Sequence, residues 1–360
     1  DCESCLVQKV RNCLMQEVFL MDPRDQQYLN PLPTIPLVDV GDAGMVALAE
    51  AEPKRLADII SVAQGHYSAP ALWIADRLSQ VWLASNENPY HEEILMIADH
   101  VGTPGAFMLN MSFEWSCTAG VGPDPVRAGN RLLRTLDWPL GGLGRNLVVA
   151  RVTGEAGPYD SVTWPGFAGV LSAMAPGRFS AAINQPPLRR YTSSRWLDWA
   201  LGRITMWRED SLPPVHLLRQ VFDQCEDYEE ARDILSNTTL AMPAFFSLSG
   251  LSETECCVIE RTEDFVINHD GPGAVANHWL RVGRAGHRRG IDSPGRLNQI
   301  NNTLRNDTPN NFAWVAPPIL NSDTRMSMVA NAKSGSLMVM GWERNARTGC
   351  VEPATNIYER

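Results

Sequence analysis

Cys117 is the residue of this sequence whose surroundings best suit nucleophilic chemistry. Small residues follow it within 112–122, so that backbone and ligand can approach its thiol closely. Arg134 and Asp137 follow it in the run 131–139. If Cys117 begins one strand and Arg134 and Asp137 end its hairpin partner, the three side chains can meet. The cation would then favour the thiolate, and the carboxylate would orient a third group. A buried structural cysteine beside a surface Arg–Asp pair is the alternative explanation.

The net charge argues against nucleic acid as a partner. The 360 residues include 31 Lys and Arg against 41 Asp and Glu, a formal charge of −10, whereas a protein that neutralises phosphates is basic. No apolar run approaches the ~18 residues that a membrane-spanning helix needs. The length suits about two domains or one large layered domain.

Metal and cofactor motifs are incomplete. Cys2-x-x-Cys5 with Cys13 lacks a second cysteine pair or a histidine pair at zinc spacing. The seven histidines form no His-Glu-x-x-His, and Gly141-Gly-Leu-Gly144 lacks the Lys and Ser/Thr of a phosphate loop. We therefore expect neither a metal nor a cofactor.

The apolar pattern changes near residue 117. Before it, helical spacing predicts helices at 53–63, 70–84 and 91–101, the last one ending at Gly102, and 29–40 looks extended. After it, strand and helix patterns alternate. The predicted strands are 131–137, 147–152, 161–164, 169–174, 178–184, 244–249, 255–260, 265–268, 274–277, 326–330 and 336–341. The predicted helices are 196–208, 215–224, 228–236 and 296–304. This order favours an α+β class in which helices cover sheets.

Four blocks, within a resemblance that runs from about Glu92 to the C-terminus, are similar to one enzyme group. They are Phe113-Glu-Trp-Ser-Cys-Thr followed by Arg134-Thr-Leu-Asp-Trp-Pro-Leu, then the run 167–184, then Val275-Ala-Asn-His-Trp, then Arg288-Arg289. The chain thereby resembles the acid ceramidases and N-acylethanolamine acid amidases, and more distantly the choloylglycine hydrolases and penicillin V acylases. These are cysteine amidases with an N-terminal nucleophile (Ntn).

The resemblance has departures. Ala119 and Thr135 replace the group's Ser and Asn, and Gln185 stands where the ceramidase-like members carry Glu. A neutral Gln can serve neither as acid nor as base, so we expect substrate choice to differ.

The resemblance implies a fold and a maturation step. The Ntn-hydrolase fold is a four-layer αββα sandwich of two stacked antiparallel sheets. It would place a helical N-terminal segment at 1–116 and the catalytic domain at 117–360. The group also implies that the chain cuts its own Ser116–Cys117 bond, which makes Cys117 the start of a new chain.

The resemblance assigns catalytic roles as well. Cys117 would be the nucleophile, and its freed α-amine the general base. Arg134 would lower the pKa of the thiol and contact the substrate carbonyl, while Asp137 would orient the α-ammonium.

Further residues of the group complete the site. Asn277 and Asn184 would form the oxyanion hole, and Arg289, or its neighbour Arg288, would complete the polar network. The residues expected to contact substrate are Trp138, Trp164, Gln185, His278 and Trp279. Core packing is the alternative role for the tryptophans and for His278.

The implied reaction is hydrolysis of a linear amide bond in a fatty or aryl N-acylated substrate, through a thioester on Cys117. An acyltransferase, or a non-catalytic relative that binds acyl ligands, is the alternative. The expected partners are the small N-acyl amide, the two fragments bound to each other, and further copies of the chain. The front of the chain shows no signal pattern, which favours a cytoplasmic location. The alternative is a secreted, lysosomal or periplasmic protein that has lost its signal.

Overall fold

The computed structural model describes residues 32–85, 87–306 and 309–360. The incomplete motif of Cys2, Cys5 and Cys13 lies outside these residues, as does the first part of the predicted segment 1–116. Within the described ranges, no helix combines the length and the apolar character that crossing a membrane requires.

Helices occupy most of the described chain before residue 112. In chain order the helices are α1 Gly44–Ala51, α2 Pro53–His66, α3 Ala69–Ser85, α4 His91–Val101, α5 Ala106–Met111, α6 Arg195–Met206, α7 Pro214–Gln224, α8 Tyr228–Asn237 and α9 Ser293–Arg305. α2 has proline at its start, where the missing N–H costs nothing. Gly102 ends α4 with a φ of 66°, which confirms its prediction as a helix end.

The strands follow mainly after residue 115. They are β1 Leu37–Gly41, β2 Ser116–Pro123, β3 Asn130–Asp137, β4 Val148–Gly154, β5 Gly157–Thr163, β6 Ser172–Ala175, β7 Phe179–Asn184, β8 Leu188–Arg189, β9 Ala244–Ser249, β10 Cys256–Arg261, β11 Val266–Asp270, β12 Gly273–Val275, β13 Gly286–His287, β14 Thr324–Asn331, β15 Ser336–Arg344, β16 Val351–Pro353 and β17 Tyr358–Glu359.

These strands build two large sheets and one small one. The first sheet has the order β1-β4-β5-β6-β7-β9-β10-β11, and the second has β12-β2-β3-β14-β15-β16 with β17 beside β15. The β1–β4 pair is parallel, and the other pairs of these sheets are antiparallel. The third sheet pairs β8 with β13.

The two large sheets stack face to face. β2 and β3 contact β7 and β9 across the interface, and α9 lies on the outer side of β2. α7 and α8 cover the first sheet, with contacts to β4, β7, β9 and β10. β3 and β14 are buried along their whole length, as expected for strands covered on both faces. The predicted α+β sandwich of two stacked, largely antiparallel sheets between helices is confirmed.

Candidate active site

The β2–β3 hairpin places Cys117, Arg134 and Asp137 close together, but only Arg134 shares a face of the sheet with the thiol. Ser116 lies opposite Asp137, Cys117 opposite Leu136, and Ala119 opposite Arg134. Because opposed residues of an antiparallel pair share a face and neighbours alternate, Arg134 shares the face of the Cys117 thiol. Asp137 projects from the other face of the sheet.

Burial dominates the chemistry of the thiol. Cys117 is completely buried, and this raises its pKa to about 11 even though Arg134 acts in the opposite direction. Arg134 does lower the pKa of the thiol, as expected, but in the intact chain the desolvation penalty is larger than the attraction of the cation. The thiol of the uncut chain is protonated at neutral pH.

Arg134 is itself buried on this face. Its Nη1 donates to Oδ1 of Asn184, and its guanidinium also interacts with the sulfur of Cys117. Its Nε and Nη2 have no oxygen or nitrogen acceptor although both are shielded from water. Buried donors without acceptors are costly, so this side of the site can stabilise negative charge.

Asp137 is surrounded by donors. Its Oδ1 accepts from Oγ1 of Thr324 at 3.0 Å, and its Oδ2 accepts from Nδ2 of Asn321 at 3.1 Å. Arg296 lies 3.5 Å from Oδ2. Burial raises the pKa of Asp137, while Arg296 and these two hydrogen bonds act against the rise.

The two asparagines use their amide groups inside the protein. Oδ1 of Asn277 accepts from the backbone N–H of Cys117 at 2.9 Å, and its Nδ2 donates to the carbonyl of Gln185 at 2.7 Å. Nδ2 of Asn184 donates to the carbonyls of Val275 and Ala276. Both side chains thus lie at the site, but in the uncut chain their N–H groups are bonded to backbone. Their oxyanion role stays a prediction.

Arg296 was not among the predicted site residues, although it makes more contacts here than Arg289. It donates to the carbonyl of Cys117, to Oγ1 of Thr118 at 3.0 Å and to Oδ1 of Asn277 at 2.8 Å. The sequence did hold a signal, because Arg296 falls at helical spacing with the buried residues Ile300 and Thr303 of α9. A charge on the apolar face of a helix needs a buried partner.

Arg289 lies further out. Its Nε donates to the carbonyl of Pro186 at 3.1 Å, and its Nη1 donates to the carbonyl of Phe113 at 3.0 Å. It makes no hydrogen bond to Cys117, Asp137 or either asparagine within the described residues, and Arg288 is exposed. The structure brings Arg296 into hydrogen-bond contact with the polar cluster, whereas Arg289 interacts with Cys117 only through its charge, so its role stays a prediction.

The predicted substrate-contacting residues divide into two groups. Trp138 and Trp164 pack edge to face in the core, with Trp115 on the other side of Trp138. Trp279 packs on Phe245, and Nδ1 of His278 lies 2.7 Å from Oγ of Ser293. Only Gln185 of the predicted five lines the groove described next.

An open groove reaches the edge of the site at Gln185, whose carbonyl accepts from Nδ2 of Asn277. We call it the entrance groove, and it is lined by Phe113, Glu114, Gln185, Pro186, Pro187, Leu188, Arg189, Tyr191, Trp199, Gly202, Arg203, Thr205, Met206, Ala241, Met242, Pro243, Glu263 and Arg289. Two of its lining residues, Gln185 and Phe113, are almost fully buried, and Nε2 of Gln185 has no hydrogen-bond partner. A largely apolar groove with several polar groups in its lining suits an amphiphilic small molecule.

Comparison with known proteins finds related amidases. No protein-family model matches the chain. It is 26% identical over 214 residues to acid ceramidase of Heterocephalus glaber, and the aligned region covers 54% of this chain and 52% of the ceramidase. It is 26% identical over 220 residues to N-acylethanolamine-hydrolyzing acid amidase of Caenorhabditis elegans, which covers 56% and 60% respectively. The chain thus spans about half the length of the curated relatives it matches. Among solved structures, a C. elegans ortholog of that amidase aligns with a TM-score of 0.46 at 19% identity, over 59% of this chain and 92% of that one.

Proposed function

We propose that this chain, a sequence relative of acid ceramidases and N-acylethanolamine-hydrolyzing acid amidases, is a cysteine amidase that hydrolyses the linear amide bond of an N-acylated substrate. The observation that carries the proposal is the division of groups around Cys117. Its thiol shares one face of the sheet with Arg134, while its backbone N–H bonds to Asn277, which Arg296 also contacts. The sulfur of Cys117 therefore lies beside Arg134, and the backbone nitrogen that cleavage would turn into an amine lies beside Asn277 and Arg296.

The first step is self-cleavage. The sulfur of Cys117 attacks the carbonyl carbon of Ser116, the C–N bond to Cys117 breaks, and the thiol proton passes to the departing nitrogen. Water then hydrolyses the resulting thioester, which leaves a carboxylate on Ser116 and a free thiol and amine on Cys117. The Ser116–Cys117 bond lies at the first position of β2, held in register by β3.

The freed amine then serves as the general base. An α-amine has a reference pKa of about 7.7–8.0, so near neutral pH it can take the thiol proton as sulfur attacks the amide. Asp137 of β3 lies opposite Ser116, the residue before Cys117, and would hold the α-ammonium of Cys117. The leaving amine takes that proton, and water attacks the acyl thioester to release the acid.

The new chain end also frees hydrogen-bonding capacity. Once Cys117 carries an amine in place of an amide, its bond to Oδ1 of Asn277 no longer restrains that side chain in the same way. We propose that Asn277 and Asn184 then turn N–H groups toward the oxyanion. One such donor is typically worth about 3–4 kcal/mol in the transition state.

The entrance groove indicates an apolar acyl group. Tyr191, Trp199, Met206 and Met242 supply aromatic and flexible apolar walls, and Gln185 and Arg289 are among its polar lining residues. A fatty or aryl acyl chain fits this lining, with the polar amide placed toward the buried cysteine.

N-terminal sequencing of the purified protein tests the proposal. A fragment that begins Cys-Thr-Ala-Gly is expected. Incubation with an activated acyl amide should then give a mass adduct on Cys117 that water removes. An adduct that only added amines remove would identify an acyltransferase, and a processed protein that forms no adduct would contradict the enzyme assignment.

Asp137→Asn is expected to lower kcat about 100-fold while KM changes less than about threefold, because a charge-assisted hydrogen bond to the ammonium is lost and the groove is untouched. Steady-state kinetics per mole of processed chain measures both constants. Asp233→Asn on α8, whose carboxylate accepts from Nδ2 of Asn237 at 2.6 Å, is the control. A rise in KM alone would contradict the orienting role.

The two fragments are expected to stay associated after cleavage. Glu93 of α4 pairs with Arg219 of α7, and the hydroxyl of Tyr90 donates to Asp223 at 3.1 Å, so buried polar contacts cross from one fragment to the other. Arg219→Met leaves Glu93 unpaired at a cost of about 3–5 kcal/mol. We expect the smaller fragment to separate in dilute size-exclusion chromatography.

The control for this variant is Arg232→Met, which removes an exposed ion pair with Asp270 inside the larger fragment. Fragments of the Arg219 variant that co-elute as tightly as those of the wild type would show that the network does not hold the fragments together.

A further inference from the structure

Arginines from the part of the chain after Cys117 hold the segment that precedes the scissile bond. α5 ends at Met111, and residues 112–115 lead without helix or strand into β2. The carbonyls of Met111 and Ser112 both accept from Arg203 of α6, and the carbonyl of Phe113 accepts from Nη1 of Arg289. The last carbonyls of a helix lack partners within it, so a cation placed there satisfies them and complements the helix dipole.

Arg203 reaches four consecutive residues from one position. Its guanidinium lies 5.4 Å from the ring centre of Phe113 and 3.6 Å from Oε1 of Glu114. Trp199, one turn earlier on α6, donates Nε1 to the same Glu114 oxygen at 2.6 Å, and its ring lies 5.3 Å from the Arg203 guanidinium. Burial lowers the pKa of Arg203 to about 10, so it remains charged at neutral pH.

The backbone of this segment is strained at one residue. Phe113 has a φ of 49°, in the left-handed region that a bulky side chain rarely adopts. Such a conformation persists only where surrounding contacts hold it. Here the ring of Phe113 packs at 5.5 Å from Trp115 and under Arg203, while both adjoining carbonyls are bonded to arginines.

We propose that Arg203 is a positioning residue for self-cleavage, which holds residues 111–114 in the strained turn that aligns the Ser116 carbonyl with the sulfur of Cys117. The inference rests on the proposed function. Arg203 contacts no atom of the scissile bond in this structure, so it acts through the turn and not on the reacting groups. Without it, the turn can relax toward a lower-energy backbone, and the carbonyl leaves its place of attack.

The test follows the rate of self-cleavage of the full chain by gel densitometry and intact mass. Arg203→Met is expected to slow cleavage about tenfold or more, since it removes two charge-assisted bonds to the turn. Arg203→Lys keeps the charge but not the fork and should recover part of the rate. Arg195→Met, at the exposed start of the same helix, should cleave within about twofold of the wild type.

Thermal unfolding separates positioning from folding. The Arg203 substitutions are repeated in a Cys117→Ala background, where cleavage does not interfere with the unfolding measurement. The proposal requires that the cleavage rates fall while the thermal stability in this background does not fall to match. If the Met variant does not fold, Trp199→Phe, which removes only one donor to Glu114, should still slow cleavage measurably. A wild-type rate of self-cleavage in the Arg203→Met variant overturns the proposal. If that variant does not fold, a wild-type rate in Trp199→Phe overturns it. A wild-type chain that never cleaves would instead overturn the proposed maturation.

Discussion

Cys117→Ala is expected to leave the chain uncut at full length and to abolish amide hydrolysis. In the proposed mechanism the sulfur is the nucleophile of both reactions, and the amine that serves as base exists only after the first of them. Loss of the thiol therefore removes nucleophile and base together. The wild type should yield pieces of ~13 and ~27 kDa, at about 110 Da per residue. Denaturing gels and intact mass spectrometry measure this directly.

A serine at position 117 tests whether cleavage needs a thiol or whether a hydroxyl nucleophile is sufficient. Cys117→Ser keeps a hydroxyl nucleophile of higher pKa in the same buried place, so cleavage should slow strongly or stop. Cys225→Ala is the matched control, because Cys225 is also a buried free thiol but lies at the end of α7. A normally processed alanine variant at position 117 would refute the proposed chemistry.

Arg296→Met is expected to disable the site and destabilise the protein together. Arg296 is fully buried and joins the carbonyl of Cys117 to Asn277 and Asp137. Its removal leaves the Asp137 carboxylate without its ion-pair partner, a loss of about 3–5 kcal/mol in the free energy of unfolding. Urea unfolding in a Cys117→Ala background measures this loss without interference from cleavage.

The same substitution should lower the rates of cleavage and turnover about 100-fold or more, since three groups of the site lose a shared donor. Arg305→Met, on the exposed side of the same helix, is the control and should leave both rates and stability near wild type. Full activity in the Arg296 variant would show that the cluster around Asp137 and Asn277 needs no cation.

Two strands are shorter than the sequence pattern predicts, because hydrogen bonds to residues distant in the chain end them early. The sequence predicts a strand at 169–174, but β6 starts only at Ser172. The N–H of Val170 bonds to the carbonyl of Val215 and so leaves the ladder, whereas the carbonyl of Leu171 still accepts from Ile183 in the register of β6 with β7. The predicted strand 274–277 likewise ends at Val275, because the N–H of Asn277 bonds to Oγ of Ser293.

The sequence by itself determined the class of the fold and most of the helices and strands, and it raised the hairpin of Cys117 with Arg134 and Asp137 only as a condition, which the structure then met. Residue type and period were sufficient for the fold class and these elements, because alternation and helical spacing are local properties. Only the tertiary structure decided that burial raises the pKa of the thiol more than Arg134 lowers it, and that Arg296 bonds directly to Cys117 and Asn277. Those outcomes depend on water exclusion and on distances between residues far apart in the chain, which no local pattern encodes.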